Sequence, residues 1–263
     1  MALPVVTCLC PTYGRFESLR DAVACFLLQD YPAKRMMIFD DSPSLLFTGD
    51  LPDYIEMWHH DRFETLGHKR QAMLEAARTP LVAHWDDDDL YLPWHLSMLV
   101  EALQGSARAC VKPRAGWFGK GPRLGWKNGK HPHHNVFEGQ MLFDRQTGLD
   151  LGGYAPMDSG QAAWLLWVFE KAKELHTWNP PDNEVSYVYR WADGMDHVSA
   201  RGKRASKDAS WGNGEPIIPD GVDALAWACE RVFPQFDAIS GWRNGPRFGA
   251  SGSVCGPTPR PAV

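Results

Sequence analysis

Short apolar runs and amphipathic stretches alternate through the first hundred residues, and polar clusters follow the runs. Pro4–Cys10 is apolar and rich in β-branched residues, and Pro11-Thr12-Tyr13-Gly14 closes it, the pattern of a buried strand entering a loop. Ser18–Gln29 spaces Leu19, Ala22, Val23, Phe26 and Leu27 at helical intervals, and Tyr31-Pro32 stops that helix. Arg35–Phe39 reads as a second short strand ending in the turn Asp40-Asp41-Ser42-Pro43. Gly67–Ala77 is another amphipathic helix, broken by Thr79-Pro80. Leu81–Trp85 is a third apolar strand, and it runs straight into Asp86-Asp87-Asp88-Asp89. Pro93–Leu103 is helical again. This alternation of strand and helix predicts an α/β fold built on a doubly wound, mostly parallel sheet.

After Gly105 the pattern changes to Gly, Pro, Trp and basic residues. His133–Phe143 alternates as a strand does, Ala162–Leu175 is spaced as a helix, and Glu184–Trp191 reads as a strand. Arg201 to Pro219 has the composition of a mobile loop, Val222–Phe233 is a last helix stopped by Pro234, and the tail after Gly241 is expected to be irregular. No internal repeat is present. The expectation is one domain over 1–263, with halves 1–103 and 104–240 sharing a core and a tail at 241–263.

Composition narrows the class. With 263 residues, 44% hydrophobic and 22% charged, the chain has the make-up of an ordinary soluble globular protein. A net charge of −5 argues against a surface coated in basic charge for nucleic acid. The six cysteines lack CxxC spacing, and Cys8 and Cys10 sit in an apolar run as small buried hydrophobes; a reducing compartment suits them. Neither a signal peptide nor an 18-residue apolar span is found, so the expected location is cytoplasmic. The 12 tryptophans serve either the core or the stacking of sugar C–H faces.

Parallel α/β sheets bind ligands beyond the carboxyl ends of their strands. Three polar clusters fall at three such ends: Pro11–Arg15, Asp40-Asp41 and Asp86–Asp89. Four successive carboxylates repel one another unless a cation offsets them, and hard divalent ions take carboxylate oxygen, so Mn2+ or Mg2+ suits the run. An acidic turn capping a helix is the alternative for such a run taken alone.

The residues then resemble a known family. Val5–Arg15 (VVTCLCPTYGR), Gln29-Asp30-Tyr31-Pro32, Phe39–Pro43 (FDDSP), Gly67–Met73 (GHKRQAM) and Trp85–Pro93 (WDDDDLYLP) together are similar to the family-two glycosyltransferases of GT-A fold. Gly152-Gly153-Tyr154 before a Trp-containing helix adds a weaker match. The likeness covers about the first 170 residues. A subgroup from bacteria and phages shares Cys-x-Cys-Pro-Thr-Tyr with Trp-Asp-Asp-Asp-Asp. The resemblance implies a Rossmann-like sheet with an acceptor-side extension: 1–103 for the nucleotide sugar, 104–240 for the acceptor. It implies that Pro11, Thr12 and Tyr13 line the nucleotide, that Tyr13 stacks on the base, and that Asp41 accepts from a base N–H, which favours a UDP-sugar. Arg15, Lys69 or Arg70 would approach ribose or phosphate, with Arg15 and Arg70 as exposed helix residues the alternative. Asp86 and Asp87 would face the nucleotide, and Asp86 and Asp88 the metal, with Asp88 the direct ligand, Asp89 less engaged, and His197 a candidate third ligand. His131, His133 and His134 form a further group suited to metal or acceptor.

The implied reaction is inverting transfer, the metal acting on the diphosphate and a carboxylate deprotonating the acceptor hydroxyl. Here the chain departs from the family. The base position, counted back from Trp167, holds Ala162, and the neighbouring carboxylates are Asp158 and Glu170. Either Asp158 serves, or the chain is a catalytically silent nucleotide-sugar binder, or no protein base is needed. A nucleotidyltransferase would bring a glycine-rich basic signature after the first strand, which Pro11–Arg15 is not. Arg108, Lys112, Arg114, Lys120, Arg123, Lys127 and Lys130 form an acid-free stretch, and Arg201, Lys203, Arg204 and Lys207 a second basic group. They suit a polyanionic acceptor, phage DNA or a phosphorylated carrier, or else form a solvated loop.

Overall fold

The computed structural model describes residues 2–46, 51–120, 123–128, 138–181 and 184–191. In chain order it forms β1 (Val6–Thr12), α1 (Phe16–Leu27), β2 (Lys34–Asp40), β3 (Ile55–His59), α2 (Leu66–Ala76) and β4 (Leu81–His84). There follow β5 (Leu90–Tyr91), α3 (His95–Gly105), β6 (Cys110–Pro113), β7 (Ala115–Lys120) and β8 (Arg123–Asn128). A 3-10 turn at Glu138–Gln140 leads to β9 (Leu142–Asp144), α4 (Arg145–Asp150), α5 (Gln161–Lys171), β10 (Leu175–Trp178) and β11 (Tyr187–Trp191).

The main sheet has seven strands in the order β10-β6-β9-β4-β1-β2-β3. β1 pairs in parallel with both β2 and β4, and β2 with β3. β9 runs antiparallel to both of its neighbours, while β6 and β10 are parallel to each other. The sheet is therefore mostly parallel, with β9 as the one reversal among these strands. A second sheet, β5-β11-β7-β8, stands beside it.

Alternation along β1 explains the layering. Val6, Cys8 and Cys10 enter the cluster holding Ala22 and Phe26 of α1 and Leu96 and Leu99 of α3. Leu9, on the opposite face, enters the cluster holding Met73 of α2 and Leu165 and Phe169 of α5. Two apolar faces covered by helices are what a parallel sheet requires. Cys8, Cys10, Cys25 and Cys110 are free and buried, as small hydrophobes are, and burial pushes the thiols of Cys8, Cys10 and Cys110 well up. Among the described residues no helix is long and apolar enough to cross a membrane.

Several boundaries differ from expectation. The helix expected over Ala162–Leu175 ends at Lys171. Lys173 takes φ 60°, and the Glu174 N–H reaches back to the Phe169 carbonyl (2.8 Å). That is a left-handed C-cap made without glycine, and the chain then enters β10. Of the strand expected over His133–Phe143, the described part is a 3-10 turn at Glu138–Gln140 followed by a strand at Leu142–Asp144, and 129–137 lie outside the described residues. β3, β5, β6, β7, β8, β10 and the short α4 were not foreseen. In β3 only Ile55 is fully buried, so its pattern is that of an edge. The elements expected beyond residue 191 lie outside the described residues.

Candidate functional site

The parallel register brings three strand ends into line. Thr12 of β1 pairs with Asp40 of β2, and β4 flanks β1 on its other side. The aspartate run leaves β4 as an arch with apolar feet. Trp85 before it is fully buried and stacked on Tyr91 (3.8 Å between centroids), and Leu90, Tyr91 and Leu92 after it are buried. Burying both feet fixes the four carboxylates despite their repulsion.

Each aspartate has its own partners. Asp86 pairs with Arg70 and lies 3.3 Å from His84 Nε2, and its side chain is the most open of the first three, at 22% exposure. Asp87 accepts from Thr12 Oγ1 (2.8 Å) and pairs with Arg15 (2.6 Å). Burial pushes its carboxyl up to about 7, against the pull of Arg15. Asp88 pairs with the other guanidinium nitrogen of Arg15 (2.6 Å). Asp89 accepts from the Tyr187 hydroxyl and is buried. The acidic run is thus offset internally by two arginines. Among the described residues no group of three or more metal-binding side chains is assembled. His197, His131, His133 and His134 lie outside those residues.

Helix α2 supplies two of the cations, Lys69 and Arg70. Thr65 caps it by accepting from the His68 N–H (3.2 Å). Its inward stripe is Gly67, Lys69, Arg70, Met73 and Leu74. Lys69 and Arg70 are therefore buried, and Arg70 is not an exposed helix residue, because the stripe meets strand ends that carry carboxylates. Lys69 Nζ lies 2.5 Å from Asp41 Oδ1 and also donates to the Thr12 carbonyl. Its pKa is lowered by burial, with Asp41 opposing. Arg70 Nη1 lies 2.9 Å from His84 Nδ1. Burial, then Arg70, lowers His84 to about 3, so the imidazole is neutral. A proton on Nε2 lets it accept from Arg70 and donate to Asp86.

Asp41 is buried and already well supplied. Oδ1 accepts from Lys69 and from Arg62 Nη1 (2.9 Å), and Oδ2 accepts from the Phe63 N–H (3.0 Å). Tyr13 is 40% exposed, and the Arg62 guanidinium covers its ring at 3.8 Å. Pro11 and Thr12 are buried behind it. The structure therefore gathers Pro11, Thr12, Tyr13, Arg15, Asp41, Lys69, Arg70, Asp86, Asp87 and Asp88 along one edge.

Asp158 lies elsewhere. It is exposed, and its carboxylate accepts from the Leu66 N–H (3.2 Å) at the start of α2. Its loop docks backbone to backbone on that helix. The Gly67 N–H donates to the Met157 carbonyl (3.0 Å), and a Cβ at Gly67 would overlap the carbonyl of Ala155. Gly153, at φ 66°, lies so close to Gln71 that a Cβ would overlap its amide. Ala162 is buried and belongs to the apolar cluster of Tyr154 and Leu166, so its position is a packed one.

Sequence reasoning missed Arg62, His84, Tyr187 and Glu138. A cation beside the Phe63 turn and a histidine two residues before the aspartates were the available signals for the first two. Glu138 sits partly buried in the 3-10 turn, next to Gly139, whose Cβ would come within 2.9 Å of Asp86 Oδ2. Burial raises its carboxyl, while Lys112 opposes. Lys112 itself is buried and lowered to about 8 by that burial, so it is no part of a basic surface. Arg108 donates to the Lys173 carbonyl, and Arg114 donates to Thr177 (2.8 Å).

The glycosyl transferase family 2 profile matches residues 7–166. No curated protein sequence matches the chain. Among solved structures, S. aureus TarS 1–349 is similar at 11% identity and TM-score 0.56, over 71% of this chain and 60% of that one. The same fragment in complex with UDP-GlcNAc aligns at 12% identity and TM-score 0.57, over 78% of this chain and 69% of that one. The mannosyltransferase PcManGT from Pyrobaculum calidifontis, in complex with GDP-Man and Mn2+, aligns at 16% identity and TM-score 0.57, over 94% of this chain and 77% of that one. At these identities the likeness shows the fold.

Proposed function

The chain belongs to glycosyl transferase family 2, and on that premise we propose that it transfers a sugar from a nucleoside diphosphate sugar to an acceptor hydroxyl. The observation that carries this reading is the convergence of Thr12, Arg15, Lys69, Arg70 and Asp86–Asp88 at the ends of three adjacent strands. Such an edge has a buried floor, cations for a diphosphate and carboxylates for a metal. Neighbouring folds bind UDP-GlcNAc and GDP-Man with Mn2+, and a UDP-sugar is the favoured donor here.

The hard carboxylate oxygens of Asp86 and Asp88 fit Mn2+ or Mg2+, with His197 as the further ligand. Bound there, the metal would supply Lewis acidity toward the leaving diphosphate. Arg15 and Arg70, fixed by Asp86–Asp88, would exchange part of that pairing for phosphate oxygens and offset the developing charge. Inverting transfer needs a base, and Asp158 is the assigned one, held at the N-terminus of α2. Glu138, beside Asp86, is the second carboxylate to test. A phosphorylated or nucleic-acid acceptor would have to be met by the basic residues other than Lys112. A reducing cytoplasm suits the buried free thiols.

A silent binder is the second reading, favoured by Ala162, whose packed position offers an added carboxylate no ready opening. The test is a panel of UDP- and GDP-sugars with Mn2+, following thermal shift and donor hydrolysis together. Stabilisation with hydrolysis is expected, and Asp158→Asn should cut turnover by about 100-fold or more with binding retained. Turnover unchanged in Asp158→Asn but lost in Glu138→Gln would move the base to Glu138. Binding without hydrolysis would establish the silent reading, and no stabilisation by any nucleotide would overturn both.

A further inference from the structure

We propose that Arg62 reads the nucleobase, donating to a keto oxygen of uracil or guanine. The inference rests on the donor reading above and assigns the base-recognition role to a residue outside the family motifs. Asp41, the expected reader, has little left to offer. A carboxylate has about four lone-pair positions. Three are taken, by Lys69, Arg62 and the Phe63 N–H, and the side chain is 1% exposed. Tyr13, the expected stacking partner, carries the Arg62 guanidinium on its ring. A base arriving at this edge therefore meets Arg62 first.

Arg62 is held for such a role. One nitrogen is pinned to Asp41 (2.9 Å), and the guanidinium carbon lies 3.8 Å from the centre of the Tyr13 ring. The backbone beneath it is fixed as well. Phe63 donates to Asp41 and stacks with Phe39 (6.3 Å), and His60 packs on the same ring (4.4 Å). The side chain is nevertheless 60% exposed, and its other N–H groups have no acceptor among the described residues. A fixed, planar, cationic donor edge facing outward prefers a carbonyl to an amino group. Uracil and guanine present keto oxygens, and guanine adds N7 for a bidentate pair, whereas adenine presents an amino donor at the equivalent edge. Asp41 then acts through Arg62, as a positioning residue.

Calorimetric titration of UDP, GDP, ADP and pyrophosphate into the full chain with Mn2+, beside Arg62→Ala and Arg62→Lys, tests this. The parent should bind UDP or GDP about five- to hundredfold more tightly than ADP, the range one bidentate contact supplies. The UDP and GDP arms identify which keto base is taken. Arg62→Ala should reduce that preference to about twofold or less, with pyrophosphate affinity unchanged and thermal unfolding close to the parent's. Arg62→Lys keeps the charge without the fork and should restore little of it. A preference that survives in Arg62→Ala overturns the proposal, as does no preference in the parent. An equal loss for all four ligands also overturns it, since Arg62 would then be a phosphate contact. If the parent binds none of the four, the donor reading itself fails.

Discussion

The strand-end edge and the seam beneath the second sheet treat buried polar groups in opposite ways. At the ends of β1, β2 and β4 the buried groups are ions in pairs: Lys69 with Asp41, Arg70 with Asp86, Arg15 with Asp87 and Asp88. At the seam between α3 and β5-β11, Asp89 under the Tyr187 hydroxyl apart, they are neutral. His95 is fully buried against Ser186 Oγ (2.8 Å), and its ring packs on Tyr91 (5.0 Å). Ion pairs cost desolvation, and their partners can be exchanged for a ligand's charges. Neutral rings and hydroxyls hold two sheets together and have nothing to exchange. The contrast separates where this molecule is built to bind from where it is built only to stay put.

Breaking one ion pair should have the largest effect. Arg70→Met leaves Asp86 and His84 facing an apolar side chain, and the expected loss is about 3–5 kcal/mol by urea denaturation. Adding Asp86→Asn should recover part of it. A loss under about 1 kcal/mol would show the pair to be incidental.

The seam should answer to pH instead. Burial holds His95 down to about 3, so the unfolded chain takes up a proton below its ordinary value near 6.5 while the folded chain does not. Stability is then complete above that value and falls with acidification toward 3, by about 1.4 kcal/mol per pH unit. His84 adds a slope of the same sign. His95→Phe should remove one histidine's share of the slope in denaturation curves between pH 7 and pH 4.5; an unchanged slope would mean that this ring is protonated in place.

Gly67→Ala sharpens the comparison at the loop. The new Cβ would collide with the Ala155 carbonyl, and the expected cost is about 1–3 kcal/mol with faster proteolysis of the 152–160 loop. The smallest effect belongs to α5. Trp164 is 44% exposed and packs on the equally open Trp167 (5.0 Å), so Trp164→Ala should stay within about 0.5 kcal/mol with nucleotide affinity unchanged. A larger loss would reveal something seated on those rings.

Much of this was legible in the chain, unevenly. Apolar runs closed by polar clusters gave β1, β2 and β4 and the edge they form, because parallel strands buried on both faces leave an unbroken hydrophobic signal. The same signal is missing from β3, whose outer residues face solvent, and from β9, whose reversal depends on pairing across the sheet. α5 was extended too far because a lysine takes the left-handed cap where glycine is usual. At the site, the residue types could be read and the partners could not. Asp41 looks like an open acceptor until the fold brings Lys69 and Arg62 to it. Asp87 and Asp88 look like open carboxylates until Arg15 is seen pairing with both.

The bare contact between Gly67 and the Ala155–Met157 backbone has a mechanical side. With no side chain to yield, helix and loop are geared together, and Asp158 rides on the same body as Lys69 and Arg70. A diphosphate whose binding shifted α2 would carry the loop with it. By linkage, whatever then docks against Asp158 would tighten the grip on the diphosphate by the same factor.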